Sequence, residues 1–197
     1  MIALKRAVAA IIAVSALSVT VSAQAQNKGF DGAQFVKAIQ EGKNDDAVTL
    51  FKGNPTLVNA RDLDGQTALI AAIDNRDRQW AGYLLQQGAD PNLAGKQGET
   101  PLLAAARVGF EEAAEWLVGL GAKVDAANRG GETPLIIAVQ RRQLPIVRLL
   151  IKSGADPDKA DSVAGYSARD YAKRDPRARE ILKLIEDKKP TSSAAAK

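Results

Sequence analysis

A short sequence recurs in this chain at a fixed interval, and that interval restricts the possible folds. The pentapeptide GETPL occurs at Gly98–Leu102 and again at Gly131–Leu135. Related pentapeptides begin at Gly65 and Gly165, so four units follow one another along the chain. Self-similarity at a fixed period, here about 33 residues, is characteristic of repeat architectures. The sequence therefore predicts a stack of similar units.

Each unit contains residues that favour the start of a helix. Thr67, Thr100 and Thr133 occupy the same place in three units. A threonine hydroxyl there can accept a hydrogen bond from a free N–H of the first turn, which stabilises the helix by about 1 kcal/mol. Pro101 and Pro134 follow at the first helical position, where the missing N–H of proline is not needed. The recurring pentapeptide is therefore predicted to be the beginning of a helix.

Each unit also contains a second apolar segment that ends in glycine. We expect second helices over Glu111–Leu120 and Arg142–Lys152 in two of the units. Gly88, Gly121 and Gly154 follow the second helices, where a left-handed residue that favours glycine commonly ends a helix. Each unit is therefore predicted to consist of a loop, a helix, a tight turn and a second helix.

The pattern D-x-x-G-x-T-P-L-x-x-A, followed by L-L-x-x-G-A-D-x-N, resembles the ankyrin repeat. The resemblance implies an all-α solenoid of stacked helix-turn-helix units with hairpin loops, here spanning residues 26–187. Arg and Lys replace apolar residues in the last unit, as expected of a terminal unit whose outer face meets water. The units implied are an N-terminal cap at about 30–58, full repeats at about 59–91, 92–124 and 125–157, and a C-terminal cap at about 158–187.

Three features depart from the family pattern. Ile70, Leu103 and Ile136 stand where the family commonly has histidine, so we expect apolar packing to replace the hydrogen bonds of that histidine. Arg76 and Arg142 replace a glycine between the two helices, so these turns must accept a less favourable backbone or use another geometry. The last step of the repeat is longer than the steps before it, which places one extra residue in the segment DKADSVAG.

The two ends of the chain differ in composition from the repeats. Lys5 and Arg6 precede the apolar run Ala7–Val21 and then the small residues of Ala23-Gln24-Ala25, which is the layout of a signal peptide at residues 1–25. The alternative, a retained membrane anchor, would require roughly 20 apolar residues. Since the chain has no cysteine and hence no disulfide, we expect a bacterial periplasmic or secreted protein, cleaved near Ala25. The low-complexity segment 188–197 predicts a disordered tail.

The sequence offers little catalytic chemistry. It has no histidine and no cysteine, which excludes Ser–His and Cys–His catalysis and zinc sites built from these residues. Asp156, Asp158 and Asp161 form an acidic run, but it lacks the glycine and the glutamate of an EF-hand loop at the required positions. Trp80 and Trp116 lie on second helices among leucines, where core packing is expected. We therefore predict no enzyme activity, no cofactor and no metal site.

Binding specificity in a repeat stack must come from positions that vary between units, because the constant positions are committed to packing. These positions lie at the hairpin tips and on the first helices, along the expected concave surface. The partner-binding residues predicted in this way are Leu63, Asp64, Gln66, Asp74, Asn75, Lys96, Gln97, Glu99, Arg107, Val108, Arg129, Glu132, Gln140, Arg141, Val163, Tyr166 and Arg174. Leu63, Val108, Val163 and Tyr166 are apolar or aromatic where solvent is expected, a feature typical of protein-binding surfaces.

Two functions from different classes follow. The resemblance implies a monomeric periplasmic protein-binding module that captures or shields another protein and binds no nucleic acid. The alternative is weak docking on anionic lipid, because residues 91–197 carry more basic than acidic side chains and residues 26–90 the reverse. Salt should abolish binding to a lipid surface, whereas mutation of the apolar tips should not.

Overall fold

The computed structural model describes residues 30–187, which contain ten α-helices and no β-strand. The predicted signal peptide (1–25) and the predicted tail (188–197) lie outside the described residues. Short 3-10 helices occur at Pro55–Asn59, Lys96–Gly98 and Pro176–Ala178. The α-helices are α1 (30–40), α2 (Asn44–Gly53), α3 (Ala68–Asp74), α4 (Arg78–Gln86), α5 (Pro101–Val108), α6 (Glu111–Gly119), α7 (Pro134–Gln140), α8 (Leu144–Lys152), α9 (Ala168–Arg174) and α10 (Arg179–Glu186).

The first helix of each full repeat begins as the sequence predicts. Thr67, Thr100 and Thr133 are the N-cap residues of α3, α5 and α7. Each threonine hydroxyl accepts a hydrogen bond from the backbone N–H three residues later, at 3.2, 3.3 and 3.2 Å. Pro101 and Pro134 occupy the first turn of α5 and α7. The three threonines are buried, so these caps also shield the helix starts from water.

The turn between the two helices has the same left-handed geometry whether or not glycine is present. Gly109 has φ 71°, and Arg76 and Arg142 adopt φ 53° and 55° at the equivalent positions. The prediction that α8 begins at Arg142 is therefore wrong: the left-handed residue interrupts the helix, which begins at Leu144. The glycines that end the second helices, Gly88, Gly121 and Gly154, have φ 88°, 86° and 95°, as predicted.

The helices stack in two layers. The first helices α3, α5, α7 and α9 contact one another in sequence, and the second helices α4, α6, α8 and α10 do the same. Ile70, Leu103 and Ile136, which replace the family's histidine, are between 0 and 1% exposed in the single core that runs through the stack. Apolar packing at these positions is thus confirmed. In the N-terminal cap, the ring of Phe35 packs against Phe51 and Trp80 at centroid distances of 5.5 and 5.6 Å.

We number the hairpin loops from first to fourth by the glycines that they contain, Gly65, Gly98, Gly131 and Gly165, and the second, third and fourth are linked through their backbones. The amide of Arg129 donates to the carbonyl of Gln97 at 2.9 Å, which joins the second hairpin to the third. The amide of Ser162 donates to the carbonyl of Gly130 at 2.8 Å, which joins the third hairpin to the fourth. The extra residue of the last unit lies in this fourth hairpin, close to Ser162, and the link is formed in spite of it.

Candidate functional site

All seventeen residues predicted to bind a partner lie in hairpin loops, in first helices or directly after them. We call this surface the first-helix face. None of the seventeen is buried. The exposed ones are Leu63, Asp64, Asn75, Lys96, Gln97, Arg129, Gln140, Arg141, Val163 and Arg174. The half-buried ones are Gln66, Asp74, Glu99, Arg107, Val108, Glu132 and Tyr166.

The four apolar or aromatic residues predicted to contact a partner divide into two kinds. Leu63 and Val163, at the first and the fourth hairpin tip, are 97% and 84% exposed. Val108 is instead half-buried and packs against the core. Tyr166 is also half-buried, because its ring contacts that of Tyr171 at a centroid distance of 5.7 Å. The expected continuous apolar line is therefore reduced to two exposed anchors, one at each end of the row of tips.

The N-terminal half of the first-helix face carries a connected set of polar side chains, which we call the N-terminal network. It consists of Gln40, Gln66, Asp74, Glu99 and Arg107. Gln40 donates to Gln66 at 2.8 Å, and Gln66 donates to Asp74 at 2.9 Å. Arg107 then donates to Asp74 at 2.7 Å and to Glu99 at 2.9 Å. Four of the seventeen predicted residues thus bind one another across neighbouring units.

The charges of this network are partly withdrawn from water. Burial raises the pKa of Asp74 above its ordinary value, and the charge of Arg107 offsets only part of that rise. Burial acts to lower the pKa of Arg107, but hydrogen bonding to Glu99 and the charge of Asp74 raise it overall. The guanidinium therefore stays charged and holds two carboxylates of adjacent units in place.

Cations outnumber carboxylates at the C-terminal end of the same face. We define the basic patch as Arg141, Arg142, Lys173, Arg174 and Arg177, together with the carboxylate of Asp175. Asp175 lies 3.2 Å from Nη1 of Arg142 and 3.5 Å from Nε of Arg177. Among residues 30–187, no carboxylate oxygen lies within 4.0 Å of the side-chain nitrogens of Arg141, Lys173 or Arg174. Two of the five cations therefore contact the carboxylate of Asp175, and the other three contact no carboxylate among the described residues.

One cation of the basic patch is held in place by an aromatic ring. The guanidinium carbon of Arg174 lies 3.9 Å from the centroid of the Tyr166 ring. Tyr166 contacts Tyr171 edge to face, and the hydroxyl of Tyr171 donates to Asp161 at 2.7 Å. A cation over an aromatic face is attracted by the ring and loses side-chain freedom. Arg174 is thus oriented by a series of contacts that leads back to the fourth hairpin.

The acidic run of the fourth hairpin has a structural role in the described residues. Asp161 accepts hydrogen bonds from the backbone amides of Val163, Ala164 and Gly165 at 3.0, 2.6 and 3.2 Å. Burial acts to raise the pKa of Asp161, but the Tyr171 hydroxyl and these amides lower it overall. The carboxylate of Asp158 binds Arg169 at 2.6 Å. No group of three or more acidic side chains within residues 30–187 is arranged to hold a metal ion.

The second helices carry an apolar groove that the sequence analysis did not identify as a candidate site. It lies across α2, α4 and α6 and has a volume of about 1020 Å³. Trp80 is buried, as expected of a core residue, and its indole N–H donates to Asn44 at 2.9 Å. Trp116 is only half-buried and lines the groove. The available signal was the presence of apolar residues at outward positions of the second helices, such as Tyr83 and Leu120, which are 41% and 55% exposed.

Comparison with known protein families gives a match to one family. A family model described as "Ankyrin repeats (3 copies)" matches residues 35–128 and 81–161 of the chain. No curated protein matches the chain. Within the part of the chain that the structure describes, no helix is both long and apolar enough to cross a membrane.

Proposed function

Because the chain belongs to the ankyrin repeat family, we propose that it is a non-catalytic protein-binding module of the bacterial periplasm. Ankyrin repeats generally mediate protein–protein interaction. The absence of histidine and cysteine from the sequence supports a binding function over an enzymatic one. Fold alone does not identify a partner, so the binding surface has to be argued from its residues.

The proposed binding surface is the first-helix face with its hairpin tips. The observation that carries this proposal is the exposure of Leu63 and Val163, 97% and 84%, at the ends of a row of tips that are fixed by the fold. An exposed apolar side chain on a rigid loop can be buried by a partner at little cost in conformational entropy. The remaining tips carry Lys96, Gln97 and Arg129, which suit the polar rim of an interface.

Export is supported by the first 25 residues. The basic pair, the apolar run and the sequence Ala23-Gln24-Ala25 are the three parts that a signal peptidase substrate requires. Expression of the full precursor in a Gram-negative host should release a periplasmic protein. Its intact mass should equal that of a chain that begins at Gln26. Recovery of the uncut chain in the membrane fraction would support the retained anchor instead.

Crosslinked capture tests the binding surface directly. The mature chain is incubated with envelope extract, crosslinked and compared with the tip variant Leu63→Ser/Val163→Ser. We expect the tip variant to lose most of the captured product, because its two apolar anchors are gone. Leu120→Ser is the matched control, since Leu120 is an exposed leucine that lines the apolar groove across α2, α4 and α6 instead. Loss with the control but not with the tip variant would contradict the proposed surface.

The second candidate, docking on anionic lipid, is supported by the unpaired cations of the basic patch. Flotation with anionic and with neutral vesicles separates the two functions. Binding to lipid should require anionic vesicles and persist in the Leu63→Ser/Val163→Ser variant. It should disappear at 0.5 M salt, where the Debye length is about 4–5 Å. Binding to a protein through the tips should show the opposite sensitivity to that variant.

A further inference from the structure

We infer that the partner binds through an acidic peptide segment, and that this segment lies on the basic patch at the C-terminal half of the first-helix face. The inference rests on the proposed function and adds to it the chemistry of the partner and its position. It follows from a contrast between equivalent positions of neighbouring units, from the orientation of Arg174, and from the charges around the patch.

Equivalent positions at the ends of the first helices are paired in one half of the face and unpaired in the other. Asp74 and Arg107 occupy such positions in adjacent units and contact each other at 2.7 Å. The next equivalent residues are Gln140 and Arg174, and neither is a carboxylate. Side chains at these positions can therefore reach one another, yet Gln140 offers Arg174 no carboxylate of the kind that Asp74 offers Arg107. A carboxylate from outside the chain can take that place.

The cations of the patch are close enough to act together. α7 and α9 are in contact, and Arg142 of the turn after α7 binds Asp175 directly after α9. Arg141 and Arg174 are the immediate chain neighbours of this contact. Like charges at one end of the same face repel one another, and an anionic ligand would offset that repulsion. The patch is thus an electrostatic site that a partner of opposite charge completes.

Arg174 is suited to carboxylate recognition. Its guanidinium lies 3.9 Å from the centroid of the Tyr166 ring, and Arg174 remains exposed to solvent. A guanidinium presents a planar set of donors that matches both oxygens of a carboxylate, and stacking restricts its rotamers before binding. Val163, 84% exposed in the same hairpin as Tyr166, offers an apolar contact beside the charges. The site therefore fits an acidic segment that also carries an apolar side chain.

The charge pattern favours a peptide over a membrane surface. The N-terminal half of the same face carries the carboxylates of Asp62, Asp64, Asp74 and Glu99, and the side chain of Asp64 is 76% exposed. A flat anionic surface laid along the face would meet these acids as well as the cations. A peptide segment can occupy the C-terminal half alone, which avoids the repulsion.

A titration with a defined probe tests the inference. The mature chain is titrated with fluorescent octaglutamate at low salt, with octaglutamine as the uncharged probe. We expect the Arg141→Gln/Arg174→Gln variant to bind octaglutamate at least tenfold more weakly. Lys52→Gln/Lys152→Gln, which removes two charges from exposed lysines of α2 and α8 outside the first-helix face, should bind within twofold of the wild type. Weakening of equal size in the two double variants would overturn the inference, because net charge alone would then explain the binding.

Two further measurements separate the possible failures. Vesicles of anionic lipid are titrated in parallel, and binding of vesicles but not of octaglutamate through Arg141 and Arg174 would overturn the inference in favour of a lipid surface. The crosslinked capture is repeated with Arg141→Gln/Arg174→Gln. If the tip variant abolishes capture and this variant does not, the proposed protein-binding function is supported and the acidic partner is excluded. If the wild type captures nothing, the proposed function itself fails.

Discussion

The two halves of the first-helix face are built from equivalent positions, yet they are stabilised in different ways. In the N-terminal half, Gln66, Asp74, Glu99 and Arg107 bind one another on the surface, at distances of 2.7 to 2.9 Å. In the C-terminal half, a backbone contact between hairpins and the ion pair of Arg142 with Asp175, 3.2 Å apart, join the units, and neither involves Arg141 or Arg174. There the amide of Ser162 donates to the carbonyl of Gly130 at 2.8 Å.

This difference explains which side chains are available to a partner. Where surface charges connect the units, a partner that used them would first have to break contacts within the chain. Where a backbone contact between hairpins and the Arg142–Asp175 ion pair connect the units, the charges of Arg141 and Arg174 take no part in those connections. Arg141 and Arg174 can then lack a carboxylate partner without weakening these connections. A repeat whose connections do not use every surface charge thus leaves some of those charges available for binding.

The largest expected effect concerns the backbone contact of Ser162 with the third hairpin, and it compares the two copies of GETPL. A Cβ added at Gly131, which has φ 78°, would lie 2.5 Å from the backbone nitrogen of Ser162. The same atom added at Gly98, which has φ 75°, would find its nearest neighbour 3.5 Å away. We expect Gly131→Ala to lower the free energy of unfolding by about 3 kcal/mol, because left-handed strain adds to a backbone clash.

Gly98→Ala is the matched control for that variant. It has nearly the same φ and is followed by the same four residues, so its cost is the left-handed strain alone, about 1 kcal/mol. Urea denaturation of both variants measures the difference. Equal losses would show that the fourth hairpin can move away from Gly131 and that the connection is not rigid.

The next effect concerns the carboxylate that closes the fourth hairpin. Asp161 is 5% exposed and accepts hydrogen bonds from three backbone amides and from the hydroxyl of Tyr171. Asn128, at the equivalent position of the third hairpin, shows that an amide oxygen can accept from the loop amides there. Asp161→Asn should therefore remove only the charged part of these bonds, and we expect a loss of about 1–2 kcal/mol at pH 7.

The dependence on pH identifies this contribution. The folded protein holds the pKa of Asp161 below its ordinary value of 3.8. The stabilisation is therefore fully present above the unfolded pKa and is lost as pH falls through the folded pKa. The stability difference between the wild type and Asp161→Asn should shrink below about pH 4. Asp62 is half-buried and accepts hydrogen bonds from two backbone amides in the first hairpin. Asp62→Asn keeps the acceptor oxygen for these bonds and serves as the control, with an expected change in stability of less than about 0.5 kcal/mol.

Much of the fold could be predicted from the sequence because its signals are local. The threonine caps, the prolines after them and the closing glycines each act within one turn of helix, and all of them were confirmed. The start of α8 was wrong because Arg142 adopts a left-handed turn that the sequence assigns to glycine. The alignment of the repeats does place Arg142 at the turn glycine, and that alignment, not the arginine itself, is the sign of the turn.

The candidate site was less predictable because it depends on contacts between units. Variation between repeats identified positions that are not buried, but not that Arg107 binds Asp74 and Glu99 whereas Arg141 binds no carboxylate among the described residues. Val108 and Tyr166 were taken for exposed anchors because their neighbours across the units were unknown. The apolar groove across α2, α4 and α6 was not predicted, because apolar residues on second helices are also what a core requires.

The smallest expected effect tests the surface network itself. The side chains of Arg107, Asp74 and Glu99 are 36%, 26% and 27% exposed, so solvent screens their ion pairs. Burial of Asp74 also offsets part of the attraction, as its raised pKa indicates. We expect Arg107→Gln to lower the free energy of unfolding by about 0.5–1 kcal/mol at low salt. The loss should be smaller at 0.5 M salt, where the Debye length is about 4–5 Å.

Arg141→Gln is the counterpart of that variant in the other half of the face. Arg141 binds no carboxylate in the described residues, so its replacement should leave stability unchanged or raise it slightly by relieving repulsion with the neighbouring cations. Thermal melts of both variants at two salt concentrations measure the contrast. If Arg141→Gln were as destabilising as Arg107→Gln, the cations of the basic patch would stabilise the fold. The two halves of the first-helix face would then not differ in the way proposed here.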